Sequence, residues 1–243
     1  MQTAILIQAR MTSTRLPGKV LMKVLGKTLL EHLVTRLRRA ALADGICVAT
    51  TDEKTDDPIV AECGRLYIPY FRGSENDVLD RYYQAAKFCN AQNIVRITSD
   101  CPLIDPQEID KLIHFYNISE CDYASTGLVR TYPRGMDAEI FSFNALEKAH
   151  CLARSPADRE HVTVYIYQHP EVFRILGLQY ESDQSQYRWT VDTQEDFSVV
   201  SKIIEKLYPI KNEFSLKDML EMAVDSEDWI HLNRHIRQKK VGE

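Results

Sequence analysis

The sequence has no surplus of basic charge, no close cysteine pair and, at its start, no apolar run long enough to cross a membrane. Thirty Lys and Arg face thirty-five Asp and Glu, for a formal net charge of -5, so no global positive field exists to hold a nucleic-acid backbone. Nucleic acid is not an expected partner. The six cysteines, at 47, 63, 89, 101, 121 and 151, lack the spacing of a zinc site or a redox pair; reduced, mostly buried thiols in a cytoplasmic protein are expected. The apolar run from Met1 to Ala9 meets Arg10 at once, too soon for a signal segment or a membrane span. Internal repeats and low-complexity segments are absent too. What is present is the composition of an ordinary globular protein, 44% hydrophobic and 27% charged over 243 residues, which suits one α/β domain with an insertion.

Ala4 to Gln8 is a compact apolar run. A polar stretch with Pro17-Gly18 follows, then Leu29, Leu30, Leu33, Val34 and Leu37 at helical spacing. This predicts strand, loop, helix. The alternation recurs: strands over Gly45 to Thr50 and Asn93 to Thr98, helices over Pro58 to Leu66 and Val78 to Cys89. Such units imply a mostly parallel sheet covered on both faces, a three-layer α/β/α arrangement. After Ile118 shorter runs and Tyr132-Pro133-Arg134-Gly135 suggest a small antiparallel insertion at about 118–136. Later elements are a strand over Glu139 to Phe143, a helix over Asn144 to Ala153, a strand over Tyr187 to Val191, a helix over Thr193 to Leu207, and a frayed tail over 237–243.

In sheets of this kind ligands lie outside the carboxyl ends of the strands. The loop after the first strand, from Gln8 and Ala9 through Arg10, Ser13 and Arg15 to Lys19, holds three cations, three hydroxyls and a Pro-Gly turn. That is suited to a triphosphate, which needs exposed amides and closing charges. It lacks the glycine spacing of a Walker A loop, and a solvated loop with ordinary salt bridges is the alternative. Asp100 ends the strand Asn93 to Thr98, where a carboxylate can hold magnesium while phosphates complete the shell. Asp192, after Tyr187 to Val191, is a second such carboxylate; taken alone a helix cap would explain it equally well, and the pairing with Asp100 favours the metal. Asp105 before Pro106 reads better as a cap.

Asp52 ends a third strand and is a weaker nucleotide-pocket candidate. Arg72, Ser74 and Arg81 are candidates for base recognition, with Ser74 or Asp77 as a helix cap the plainer account of that stretch. Arg134, Asp137 and Glu139 are candidate contacts to a polyhydroxylated substrate. Arg159 and His161, opening a helix expected to run through Tyr165, are the others, yet charge runs are usually solvated faces. Nothing in the sequence orients His161 as a base, and no Ser-His-Asp set can be assembled.

These motifs resemble the cytidylyltransferases that activate sugar acids, most closely the spore-coat polysaccharide branch. The resemblance runs from Gln8-Ala9-Arg10 and Ser13 to Lys19, through Arg72-Gly73-Ser74, Asp77 to Tyr83 and Asp100 to Ile104, to Arg159 to Thr163 and Asp192-Thr193. It implies a nucleotide-diphosphate-sugar transferase fold, phosphate-holding roles for Arg10, Arg15 and Lys19, and magnesium on Asp100 and Asp192. It implies CTP and a sugar acid as substrates and a homodimer that uses the inserted segment. Cys101, where relatives often carry an acidic residue, and Met11-Thr12, where sialic-acid enzymes tend to glycine, leave the sugar open.

The expected reaction is attack of a sugar hydroxyl on the α-phosphate of CTP, in which positioning and charge neutralisation dominate. Alternatives are a nucleotidyltransferase acting on a sugar phosphate, a glycosyltransferase, and a non-catalytic nucleotide binder. The sequence has no Asp-x-Asp, which counts against the glycosyltransferase.

Overall fold

The structure is a computed structural model in which residues 1–226 and 228–238 are described. The part of the expected tail at 239–243 lies outside them. The central sheet holds β1 (Thr3–Gln8), β4 (Gly45–Thr51), β5 (Tyr70–Gly73), β6 (Asn93–Thr98), β7 (Tyr123–Ser125), β8 (Glu139–Ser142) and β9 (Ile175–Gly177) in the order β5-β4-β1-β6-β8-β7-β9. Only β8 runs against its neighbours; the β5-β4-β1-β6 and β7-β9 pairings are parallel. Strands β2 (Lys23–Val24) and β3 (Lys27–Thr28) form a separate antiparallel hairpin.

Alternation along β1 shows how the sequence builds three layers. Ile5 and Ile7 face a core completed by α1 (Leu29–Leu37), α2 (Asp57–Leu66), α4 (Pro106–Ile118), α8 (Gln194–Leu207) and α9 (Leu216–Val224). Ala4 and Leu6 face a second core with α3 (Val78–Phe88), α5 (Phe143–Leu152) and α7 (Val164–Gln168). A strand buried on both faces has no polar side to alternate with, which is why β1 reads as a continuous apolar run. Segment 118–136 contributes β7 to this sheet. Asp105 caps α4 through Gln107 N–H at 2.9 Å, as its position before proline suggests.

Two expected elements differ. Residues 187–191 form no ladder strand: Arg188 makes a lone parallel bridge to Arg134, and Val191 N–H donates to the Asp100 carbonyl at 2.8 Å. This stretch is extended and apolar because Trp189 and Val191 are buried against the first core, not because a sheet partner lies alongside. The helix expected through Tyr165 breaks in two, α6 (Pro156–Glu160) and α7, because buried Val162 adopts φ 58°. A left-handed residue cannot continue a right-handed helix.

The chain runs from β1 outward to β4 and β5, then returns to β6 on the other side of β1. Strand order reverses there, and the carboxyl ends of β1 and β6 flank the crevice where ligands bind in open α/β sheets.

Candidate active site

Gln8 pairs in register with Thr98, so the chain leaves both strands at the same level. A cavity of about 370 Å³ opens there, lined by Gln8, Ala9, Arg10, Ser13, Thr14, Arg15 and Lys19 from the loop after β1, with Thr98, Ser99 and Asp100 from β6 and its exit. Arg81, Glu160, His161, Asp192 and Gln238 complete it. Four of these side chains are permanent cations, Arg10, Arg15, Lys19 and Arg81, against the three carboxylates Asp100, Asp192 and Glu160.

Lys19 is the hub. Its Nζ lies 3.2 Å from Asp100 Oδ2 and 2.9 Å from Asp192 Oδ1, and it donates to the Val191 carbonyl at 2.7 Å. Arg15 Nη2 meets the other Asp192 oxygen at 2.8 Å. Burial alone would lower the Lys19 ammonium, but the charges of Asp100 and Asp192 outweigh it and hold the pKa above its usual value. For Asp100, burial pulls upward, and Lys19 with the Thr98 hydroxyl, at 2.5 Å, holds the carboxyl below its usual value. Asp100 is thus kept ionised, as a carboxylate that binds a cation must be.

Asp192 is not a helix cap. Thr193 caps α8, closing a capping box with Asp196, and this frees the Asp192 carboxylate to face the cavity. Buried Arg188 fixes it from behind, with Nη2 2.9 Å from Asp192 Oδ2 and Nε 2.8 Å from Asp196 Oδ1. The C-terminal segment locks Arg188 in turn: Asn233 Nδ2 donates to the Arg188 carbonyl at 2.8 Å, and Gln238 Oε1 accepts from Arg188 Nη1 at 2.8 Å.

A second cavity, about 430 Å³, adjoins the first and shares Thr98, His161 and Gln238 with it. Asp137 and Glu139 line it, as do Arg96, Arg130, Tyr123, Ser125, Thr163 and Tyr167. Each of its guanidiniums is already paired within it, Arg130 with Asp137 at 2.5 Å and Arg96 with Glu139. Tyr123 and Thr163 hydroxyls also donate to Glu139, at 2.7 and 2.8 Å.

The other candidates lie outside both cavities. Asp52 is exposed and its N–H donates to the Gly73 carbonyl. Arg72 ties β5 to the loop after β4 through the Thr51 and Glu53 carbonyls and Asp57. Ser74 accepts from Asp77 N–H, and Asp77, the cap of α3, is gripped by Arg159 at 2.5 Å. Arg134 bridges main chain to Arg188. The charges of Arg72, Asp77 and Arg159 thus meet partners away from the cavities, which spacing does not reveal.

The sequence reading missed Asp56, Thr98, Arg96, Arg130, Arg188 and Gln238. Thr98 and Arg96 stand at and just before a strand's carboxyl end, a signal that was present; the others carry none. Buried Asp56 accepts from Met11 N–H at 2.7 Å and from Thr50 and Thr51, fastening the loop after β1 to the end of β4. Asp56→Ala leaves those donors unpaired at about 1–3 kcal/mol each for buried groups. A loss of about 3 kcal/mol in chemical denaturation and faster amide exchange at Met11 are expected together.

Three comparisons bear on this geometry. A family model described as cytidylyltransferase matches residues 4–233. The chain belongs to the cytidylyltransferase family. An uncharacterized protein of Methanocaldococcus jannaschii is 38% identical over 240 residues, 98% of this chain and 97% of its own length. The spore coat polysaccharide biosynthesis protein SpsF of Bacillus subtilis is 36% identical over 208 residues, 83% of this chain and 85% of its own. A solved cytidylyltransferase from Leptospira borgpetersenii superposes with a TM-score of 0.91 at 37% identity, covering 98% of this chain and 100% of that one. This cytidylyltransferase is thus a CTP-dependent nucleotidyltransferase with an α/β fold. Among its described residues no helix is long and apolar enough to cross a membrane.

Proposed function

We propose that this cytidylyltransferase moves CMP from CTP to a hydroxyl of a sugar acid with release of pyrophosphate, for surface-glycan or polysaccharide synthesis, and that Asp100 and Asp192 hold magnesium. The observation that carries the reading is the pair of adjoining cavities, one rich in cations and the other balanced in charge. The first suits a triphosphate. In the second, two guanidiniums matched by two carboxylates leave no surplus for a phosphate dianion, which supports a hydroxylated monoacid over a sugar phosphate.

The metal reading rests on the donor set. Asp100 and Asp192 converge on one ammonium, and no group of three or more His, Cys, Asp or Glu suited to a metal occurs among the described residues. Two carboxylates, with phosphates and water to complete the shell, fit magnesium and not an all-protein cage. Bound there, the ion would neutralise phosphate charge. The chain's own residues do the rest: Arg10, Arg15 and Lys19 take up triphosphate charge and that of the departing pyrophosphate. Thr98 orients Asp100, and Arg188 orients Asp192.

A homodimer and a cytoplasmic setting belong to the same proposal. Exposed Leu128 and Val129, beside β9 at the sheet edge, support a partner surface within 118–136.

The test is a mass-spectrometric screen of CTP and magnesium with 3-deoxy-manno-octulosonate, sialic acid and matched sugar 1-phosphates. A CMP-linked sugar acid is expected. Product from the sugar phosphates alone, or none at all, overturns the reading.

A further inference from the structure

If the two cavities hold the two substrates, the acceptor oxygen meets the α-phosphorus where they join. Thr98, His161 and Gln238 line both. The Thr98 hydroxyl is committed to Asp100 at 2.5 Å, and the Gln238 carboxamide accepts from Arg188 at 2.8 Å; neither group is a base. Imidazole exchanges protons near neutral pH. Only the main chain of His161 is bonded among the described residues, to Ala157 and Thr163, so both ring nitrogens are free for a substrate.

The local backbone supports a purpose for this placement. Val162, buried and β-branched, sits at φ 58°, a conformation that costs about 1–2 kcal/mol. Such strain persists where the surroundings fix it, and it clusters at active sites. Here it ends α6 at His161 and turns the Thr163 hydroxyl onto Glu139. The carboxylates of the acceptor cavity are engaged: Glu139 by Arg96, Tyr123 and Thr163, and Asp137 by Arg130 and Gly135 N–H.

We propose that His161 is the general base that removes the proton from the attacking hydroxyl, an inference that rests on the transfer reading above. The acceptor oxygen forms a bond to the α-phosphorus as its O–H bond breaks. The bond from that phosphorus to the oxygen bridging to the β-phosphate breaks, and pyrophosphate leaves with the electron pair. The proton goes to an imidazole nitrogen and later to water.

The test compares full-length wild type, His161→Gln and His161→Ala by pyrophosphate release, with magnesium, CTP and the acceptor from the screen that gives product. A general base contributes about 10²–10⁴ in rate, so kcat falls at least about 100-fold while KM for CTP stays within about threefold. The acid limb of the kcat/KM profile disappears in His161→Gln. Glu160, Asp100, Asp192, Asp137 and Glu139 are all retained there, so a lost limb belongs to the imidazole. Added imidazole restores rate to His161→Ala, which a structural role would not permit. Unchanged kcat, an unchanged acid limb, or loss of CTP binding in calorimetry overturns the assignment. A wild type that transfers CMP to no acceptor overturns the transfer reading, and this role with it; a wild type and His161→Gln that are equally active overturn the base alone.

Discussion

Asp100→Asn is expected to lose turnover by at least about 1,000-fold, close to 4 kcal/mol of transition-state stabilisation, with the fold intact. The backbone at Asp100 is fixed without its carboxylate: its carbonyl accepts from Val191 N–H at 2.8 Å and from the Thr190 hydroxyl at 3.1 Å. The amide keeps the shape and removes the charge. Lys19 retains Asp192 at 2.9 Å, so no buried cation is stranded, and circular dichroism should be unchanged. Because the carboxyl of Asp100 is held below its ordinary 3.8 in the folded protein, its contribution to stability is present above that value. That contribution is lost as pH falls through the lower folded value. The wild type should therefore lose stability into acid more steeply than the asparagine variant. Full activity of the variant in magnesium would remove Asp100 from the mechanism.

Gly135→Ala should damage stability and catalysis together. Gly135 has φ +102°, and a Cβ there would stand 2.5 Å from the carbonyl carbon and oxygen of Trp189 and 2.7 Å from Thr190 N. Those atoms are backbone, so relief requires the 187–192 segment to move, and Asp192 with it. Overpacking of this kind costs about 1–3 kcal/mol, to which the left-handed φ adds about 1–2 kcal/mol. A misplacement of about 1 Å in a catalytic group costs roughly 100-fold in rate. Gly26→Ala is the control: φ is +79° but nothing lies within 4 Å of its Cβ. It should lose about 1–2 kcal/mol of stability with kcat unchanged. Equal kcat in the two variants would show that the contact between Gly135 and the 189–190 backbone does not position Asp192.

Much of the site was legible because strand ends can be read locally. The apolar run of β1 and the run ending at Thr98 announce themselves through burial on both faces, and in a parallel sheet their exits must lie on the same edge. The loop from Gln8 to Lys19 and Asp100 follow from that rule. The fate of other charges was not legible. Arg72 and Arg81 lie nine residues apart in similar company, yet one braces a loop and the other lines the cavity. Arg159 and His161 are two residues apart, yet Arg159, inside α6, grips Asp77, while His161, at the end of that helix, lies between two cavities.

The sequence by itself determined the alternating strands and helices, the cationic loop after β1 and the carboxylate after β6, since periodicity and the position of a polar residue at a strand end are short-range properties of the chain. Tertiary structure alone decided that residues 187–191 are held by the loops at 134 and 100 instead of a sheet, and that Asp192 faces Lys19 while Thr193 takes the cap. It alone brought Asp56, Arg188 and Gln238 to the site. Contacts across 45 to 173 residues, such as Met11 with Asp56 and Lys19 with Asp192, depend on how buried surfaces pack, and no local pattern encodes which distant partner a charge will meet.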